Sequence, residues 1–84
     1  MNTSENMHIG KLVRKQLYEN GQTVVWLAKQ FGCDRSKLYR IFSNSDIYCS
    51  DLWKISIIMK HNFFNDLSEH FKQTMQANGK NMYF

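Results

Sequence analysis

The side chains best suited to binding a ligand in this chain cluster in residues 35–43. Leu38, Ile41 and Phe42 have the spacing of one helix face, so a helix here would turn these three residues toward a core. Arginine is a planar cation with several donors, and it binds paired acceptors such as phosphate oxygens. The outward side of that helix would carry polar and cationic side chains, namely Arg35, Ser36, Tyr39, Arg40 and Ser43.

The positive charge of the chain is unevenly distributed. The formal net charge is +4, with seven Lys and Arg against three Asp and Glu in residues 1–43 and four of each in residues 44–84. The basic half includes the segment with the two arginines, and such a bias favours a polyanionic partner. Solubility is the other explanation, and charge alone does not separate the two.

The remaining reactive side chains form no catalytic or metal-binding pattern. Cys33 and Cys49 are sixteen positions apart, and we interpret both as free, packed thiols. His8, His61 and His70 do not combine with either cysteine at the spacing of zinc ligands. The sequence also lacks a glycine-rich phosphate loop and a Ser, His and Asp order typical of hydrolases. We therefore expect no enzymatic activity, no metal and no cofactor.

The composition is that of one ordinary globular domain. The chain has 84 residues, of which 43% are hydrophobic and 21% charged. No apolar run approaches the roughly 18 residues of a membrane span. Residues 1–6 lack an apolar signal core, and we expect them to be a flexible N-terminus. These features predict a cytoplasmic protein that does not bind membranes.

Apolar periodicity predicts an all-α fold of five short helices, and the absence of proline agrees with this. The first helix includes residues 9–17 and stops at Asn20 and Gly21, because glycine adopts the left-handed conformation at little cost. Thr23 is a suitable cap for the second helix, which ends at Gly32.

Polar residues mark the boundaries of the last three helices. We expect the Asp34 side chain to cap the third helix by accepting hydrogen bonds from backbone N–H groups of its first turn. The polar residues 43–46 end that helix, and a fourth begins between positions 48 and 51. Asn62 is the expected cap of the fifth helix, which continues through Phe71.

Helices two and three are joined by Gly32, Cys33 and Asp34, a short connection typical of a helix-turn-helix unit. Ala28 supplies the small residue that a close helix crossing needs, and Gly32 supplies the residue that tolerates a positive φ. Trp26 lies off the apolar stripe of helix two. We expect it to be part-exposed, with a packing role favoured over a stacking platform.

Residues 24–43, VVWLAKQFGCDRSKLYRIFS, resemble the helix-turn-helix motif of the lambda-repressor-like family, also called Cro-type or XRE. The motif's apolar, small and glycine positions are occupied by Leu27, Ala28, Gly32, Leu38 and Ile41. The resemblance extends to the segments IGKL, LWKIS and FFNDL in the first, fourth and fifth helices. It implies a compact five-helix DNA-binding domain at residues 7–72, followed by a tail at 73–84 that is frayed or in dimer contact.

The resemblance implies a small prokaryotic or phage-type transcriptional regulator, nucleoid-associated when bound, whose third helix enters the major groove of double-stranded DNA. The implied base contacts are Arg35, Ser36, Tyr39 and Arg40. The implied phosphate contacts are Thr23, Lys29, Lys37 and Ser43. Val24 stands where many members have a glutamine that binds the DNA backbone, so no contact carries over to it. Phe42 and Asn44 stand where a glutamate and a glycine are common.

A homodimer is the expected assembly, because one helix-turn-helix reads only a half-site. We expect self-association through residues 58–84, whose surplus apolar side chains are Phe63, Phe64, Phe71, Met82, Tyr83 and Phe84. The alternative function is a protein-interaction adaptor, such as an antitoxin-like partner, built on the same bundle. The basic third helix favours DNA over a protein partner. RNA binding is less favoured, because no sheet with aromatic side chains is predicted.

Overall fold

A computed structural model describes residues 7–78 of the chain, and these residues form five α-helices and no strand. The helices are α1 (Ile9–Glu19), α2 (Val24–Phe31), α3 (Arg35–Ser43), α4 (Cys49–Met59) and α5 (Phe63–Asn78). The predicted all-α fold class is therefore confirmed. None of the described helices combines the length and the hydropathy needed to cross a membrane.

Two of the predicted caps are present. The Thr23 hydroxyl accepts a hydrogen bond from the Trp26 backbone N–H at 3.0 Å and caps α2. The Asn62 side-chain oxygen accepts one from the Asn65 N–H at 3.1 Å, at the start of α5. Each side chain satisfies an N–H group that has no partner within its own helix.

The caps of α3 and α1 differ from expectation. Asp34 precedes α3, but the predicted side-chain bond is wrong, because the carboxylate makes no capping contact. The backbone carbonyl of Asp34 instead accepts from the Lys37 N–H at 3.1 Å and closes the first turn. The sequence reasoning missed the cap of α1, where His8 Nδ1 accepts from the Lys11 N–H at 3.0 Å.

The core lies between the inner faces of α1 to α4 and the first residue of α5. It consists of Val13, Leu17, Val24, Leu27, Ala28, Phe31, Leu38, Ile41, Phe42, Leu52, Ile55, Met59 and Phe63. Trp26 is half-buried against this cluster, as the helical stripe of α2 predicts. Phe63 is fully buried, so its expected place in a dimer interface is corrected.

The start of α1 packs directly on the end of α3. The N–H groups of Ile9 and Gly10 donate to the carbonyl oxygens of Ser45 and Asn44, both at 3.0 Å. Gly10 is buried, and a Cβ atom built on it would lie 2.5 Å from the carbonyl oxygens of Ile41 and Asn44. Only glycine allows this approach of the two backbones, so Gly10 sets how closely α3 is held to α1.

The fifth helix extends beyond its predicted end. α5 continues to Asn78, so residues 73–78 are helical, whereas the sequence placed them in a tail. A helix of 16 residues is about 24 Å long at 1.5 Å per residue. The expected flexible N-terminus and the apolar residues Met82, Tyr83 and Phe84 lie outside the described residues.

The two cysteines are free, but they differ in burial. Cys33 is half-buried against the core, as expected for a packed thiol. Cys49 is exposed, which corrects its interpretation as a packed residue. It is the first residue of α4, and the inward face of that helix begins only at Leu52. Within residues 7–78, no three His, Cys, Asp and Glu side chains are grouped so that they could hold a metal ion.

Candidate nucleic-acid interface

The turn between α2 and α3 has the tight geometry that the sequence predicts. Gly32 has a φ of 87°, in the left-handed region that favours glycine, and Gly21 after α1 has a φ of 73°. The N–H groups of Gly32 and Cys33 both donate to the carbonyl oxygen of Ala28, at 2.8 and 3.0 Å. Ala28 itself is only 5% exposed, so a small side chain sits where the helices meet. This turn fixes the orientation of α3 relative to α2.

The two sides of α3 are cleanly divided. Leu38, Ile41 and Phe42 are buried in the core, as predicted. The exposed positions include all five predicted outward residues, namely Arg35, Ser36, Tyr39, Arg40 and Ser43. The ion pairs within residues 7–78 are Lys15–Glu19, His61–Asp66 and Lys72–Glu69. The Arg35 and Arg40 guanidinium groups are therefore not neutralised by a carboxylate in this part of the chain.

The middle and the end of α3 are further ordered by contacts within the helix. The Tyr39 ring meets the Phe42 ring edge-on, with centroids 6.4 Å apart, and Tyr39 remains 49% exposed. The Ser43 hydroxyl donates to the Arg40 carbonyl oxygen at 3.0 Å. In this conformation Ser43 has no proton left to donate to a phosphate, so Ser43 is a weaker phosphate candidate than its exposure suggests.

Lys37 is half-buried on the side of α3 next to α2. Its Nζ lies 5.1 Å from the centroid of the Phe31 ring, and Nζ of Lys54 on α4 lies 4.4 Å from the same centroid. An ammonium group within about 6 Å of an aromatic ring is attracted to the ring face. The sequence reasoning did not identify Lys54, because nothing local shows that α4 brings it to α2.

The surroundings of the turn between α2 and α3 also change the pKa of the Cys33 thiol. Burial raises the pKa of the Cys33 thiol, while the Lys37 ammonium opposes that rise and the Asp34 carboxylate adds to it. The neutral thiol is thus favoured, which suits packing in the turn rather than nucleophilic chemistry.

The predicted phosphate contacts on α2 lie at the protein surface. Thr23 and Lys29 are both exposed. The Thr23 oxygen accepts the capping bond from Trp26, so its hydroxyl proton is still available as a donor. Val24 is buried in the core.

The two flanks of α3 differ in charge. On one flank an open groove of about 480 Å³ separates α3 from the loop before α4. Lys37 and Arg40 line this groove together with the carboxylates of Asp46 and Asp51. A wall of mixed sign does not suit a polyanion, because the two carboxylates repel phosphate.

The other flank of α3 is formed by α1, and its cation was not predicted. Arg14 Nε donates to the Tyr18 hydroxyl at 3.0 Å, and the guanidinium carbon lies 5.5 Å from the Tyr18 ring centroid. The same carbon lies 6.0 Å from the Phe42 ring centroid. The spacing of Arg14 and Tyr18, four residues apart on a helix, was the only local signal for this arrangement.

Comparison with known protein families shows what this arrangement is. Residues 9–45, which span α1, α2 and α3, match the family model described as the helix-turn-helix domain of resolvase. This part of the chain is a helix-turn-helix domain. The match supports DNA as the partner of the domain. It is to a resolvase-type model, so it does not extend to the lambda-repressor-like family. Comparisons with curated proteins and with solved structures found no match.

Proposed function

We propose that this protein binds double-stranded DNA sequence-specifically and acts in the cytoplasm as a small transcriptional regulator, with α3 inserted in the major groove. The observation that carries the proposal is the outward face of α3. There, exposed donors stand on a helix whose opposite side is locked in the core. They are Arg35, Ser36, Tyr39 and Arg40.

The chemistry of these side chains fits the edges of base pairs. An arginine can donate two parallel hydrogen bonds to O6 and N7 of guanine. Arg35 and Arg40 are therefore the proposed base readers, since no described carboxylate competes for their donors. Ser36 and Tyr39 complete the proposed base contacts. Thr23 and Lys29 would position the domain on phosphates, which carry no sequence information themselves. Lys37 lines the groove that also contains Asp46 and Asp51, and the Ser43 hydroxyl already donates to the Arg40 carbonyl oxygen, so these two predicted phosphate contacts are not part of the proposal.

We further propose that the domain is of the lambda-repressor-like, Cro type. The likeness of residues 24–43 to that motif and the order of five helices support this assignment. The resolvase-type match ends at residue 45, before α4 begins. The relationship of α4 and α5 to known families therefore rests on the sequence likeness alone.

We also propose that the active form is a homodimer. Trp53 and Ile57, one turn apart on α4, are each 63% exposed, and the Trp53 ring lies 6.2 Å from that of the half-buried Phe64 on α5. Of these three residues, only Phe64 lies in residues 58–84, the segment from which the sequence predicted self-association. We call the three residues the α4–α5 patch. Its members lie on α4 and α5, so a second copy could cover it while leaving α3 free. Two-fold symmetry would bring this patch of one copy against the same patch of the other.

The α4–α5 patch is also consistent with the adaptor function, because an exposed apolar surface of this kind suits a protein partner. Such an adaptor would not require the cationic face of α3. Binding of DNA with sequence preference is the property that distinguishes the two functions.

Selection of bound sequences from a random pool of duplex DNA tests the proposal directly. We expect enrichment of a short motif, present as two half-sites if the protein binds as a dimer. Retention of DNA without any enriched motif would contradict sequence-specific reading. Failure to retain duplex DNA even at low salt would favour the adaptor.

Arg40→Ala and Lys29→Ala separate base reading from phosphate binding on the selected site. Arg40→Ala should flatten the preference at one base-pair position, since a bidentate guanine contact is worth about 1–3 kcal/mol against the wrong base. Lys29→Ala should weaken all sequences equally and reduce the slope of log K against log salt by about one unit per subunit. Fluorescence anisotropy over a salt series measures both, with circular dichroism to check folding. An equal loss on every sequence for Arg40→Ala would mean that Arg40 binds only phosphate.

A further inference from the structure

We propose that Arg14 on α1 binds a backbone phosphate of the same DNA that α3 reads, at the edge of the major groove nearest α1. This inference rests on the proposed function and adds a contact outside the two helices of the helix-turn-helix. It starts from the position of Arg14 relative to α3, its fixed orientation and the absence of a carboxylate partner among residues 7–78.

Arg14 and Tyr39, on the exposed face of α3, share one aromatic neighbour, Phe42. The Phe42 ring lies 6.0 Å from the Arg14 guanidinium carbon and 6.4 Å from the Tyr39 ring. The guanidinium carbon therefore lies at most about 12 Å from the Tyr39 ring centroid, and the major groove is about 12 Å wide. When Tyr39 is in the groove, Arg14 is thus close enough to reach a phosphate of a strand that borders it.

The guanidinium group is held in place before any DNA arrives. Its Nε donates to the Tyr18 hydroxyl, and the rings of Tyr18 and Phe42 flank the cation. Of the five donors of a guanidinium, the four on the terminal nitrogens remain for an anion, enough for a bidentate contact with a phosphate. A side chain that is already ordered loses little conformational entropy when it binds.

The electrostatic surroundings also favour this flank of α3. The described helix α1 carries one carboxylate, that of Glu19, and its Oε2 lies 3.9 Å from Nζ of Lys15. Lys11, one turn before Arg14, adds a second exposed cation. The groove on the opposite flank of α3 contains Asp46 and Asp51 instead. A phosphate is therefore stabilised beside α1 and repelled beside the loop.

The test compares Arg14→Gln with Lys15→Gln in the full-length chain, using fluorescence anisotropy on the selected site and on unrelated duplex DNA. Both variants lose one positive charge, but Lys15 pairs with Glu19, whereas Arg14 lies beside the Phe42 ring. Arg14→Gln keeps most of its aliphatic stem. We expect it to reduce the salt slope by about 0.9 per subunit and to weaken both DNAs about eightfold at 0.1 M salt. Lys15→Gln should weaken them by less than about twofold, since screening by water and salt leaves little effect of a distant charge.

The outcomes separate this inference from the proposed function. Equal behaviour of the two glutamine variants would overturn the Arg14 contact while leaving DNA binding intact. A changed preference at one base pair would overturn it too, because Arg14 would then read a base. If the unmodified protein binds no duplex DNA, the proposed function and the Arg14 contact both fail. If Arg14→Gln lowers the melting temperature, Arg14→Lys is the deciding variant. It keeps the positive charge, so a phosphate contact predicts that its slope of log K against log salt equals that of the parent. A reduced slope for that charged variant would assign the loss to packing.

Discussion

The cations around the helix-turn-helix fall into two groups that differ in what their charged ends contact. The ammonium groups of Lys37 and Lys54 lie over the Phe31 ring, so each already makes a cation–π contact within the fold. Arg35 and Arg40 are exposed and unpaired among the described residues, so their donors remain for a ligand. At the scale of single residues, this difference supports the proposal that the two arginines of α3 make the sequence-specific contacts.

The two cysteines allow a residue-scale prediction about reactivity. Because the thiolate is the nucleophile, and because burial raises the pKa of the Cys33 thiol, Cys33 should react with iodoacetamide more slowly than exposed Cys49. A raised pKa means that the thiolate forms only at higher pH. The rate of Cys33 alkylation should therefore increase at a higher pH in the folded protein than in the unfolded chain. Mass spectrometry of the peptides that contain Cys33 and Cys49, after reaction at pH 8, measures the ratio of the two modification rates.

The unfolded protein is the control for this experiment, since in urea both thiols should react at similar rates. A folded protein in which Cys33 is modified as fast as Cys49 would contradict the packing of Cys33 in the turn.

At the scale of elements, the position of α3 depends on α1 as well as on α2. The Ala28 carbonyl and Gly32 fix the turn on one side of α3. On the other side, two N–H groups at the start of α1 bond to the carbonyls of Asn44 and Ser45, which follow α3. The junction satisfies N–H groups of α1 that would otherwise need water, and it aligns Arg14 with Phe42.

Gly10→Ala should disrupt this junction. The added Cβ would meet backbone oxygens that cannot rotate away, and overpacking typically costs about 1–3 kcal/mol. Alanine is the better helix former by about 1 kcal/mol, which offsets part of that cost. Since two hydrogen bonds also lengthen, we expect a net loss of about 2 kcal/mol. In a domain of this size that lowers the melting temperature by roughly 10 °C.

Lys11→Ala is the matched control for thermal melting, because Lys11 is exposed and follows Gly10 on the same helix. It should melt within about 2 °C of the parent, as expected for a surface substitution. If Gly10→Ala melts like this control, α1 does not approach the end of α3 as closely as described.

At the scale of the whole molecule, the basic face of α3 and the α4–α5 patch lie on different helices. The basic surface is formed by α3 with the exposed cations of α1 and α2, whereas the α4–α5 patch is apolar. This separation would let one protein bind DNA and a second copy at the same time. A second copy would also double the number of phosphates neutralised, which steepens the dependence of affinity on salt.

Ile57→Glu should prevent self-association by placing a charge in the α4–α5 patch, where a second copy would have to desolvate it. Val25→Glu is the control, because Val25 is 50% exposed on α2 and gains the same charge outside the patch. Analytical ultracentrifugation should show a dimer for the parent and for Val25→Glu, and a monomer for Ile57→Glu. A parent that sediments as a monomer at high concentration, with and without DNA, would rule out the homodimer.

Several features of the protein were determined by the sequence alone, because they depend on neighbours within a turn or two. The all-α class, the breaks between the helices and the caps of Thr23 and Asn62 follow from apolar spacing and from local hydrogen bonds. The outward face of α3 follows too, since burying Leu38, Ile41 and Phe42 leaves only one side for its polar residues. The helix-turn-helix was therefore predictable, including the positive φ of Gly32.

Other features were decided only by the tertiary structure, because periodicity shows which side of a helix is inward but not which helix it meets. The close approach at Gly10, the Phe42 contact of Arg14 and the Phe31 contact of Lys54 all join residues distant in the chain. Phe63 shows the same limit, since an apolar residue predicts burial or an interface equally well until its neighbours are known. Residues 73–78 lack a clear apolar period yet continue α5, because a helix already started adds each further residue at little cost.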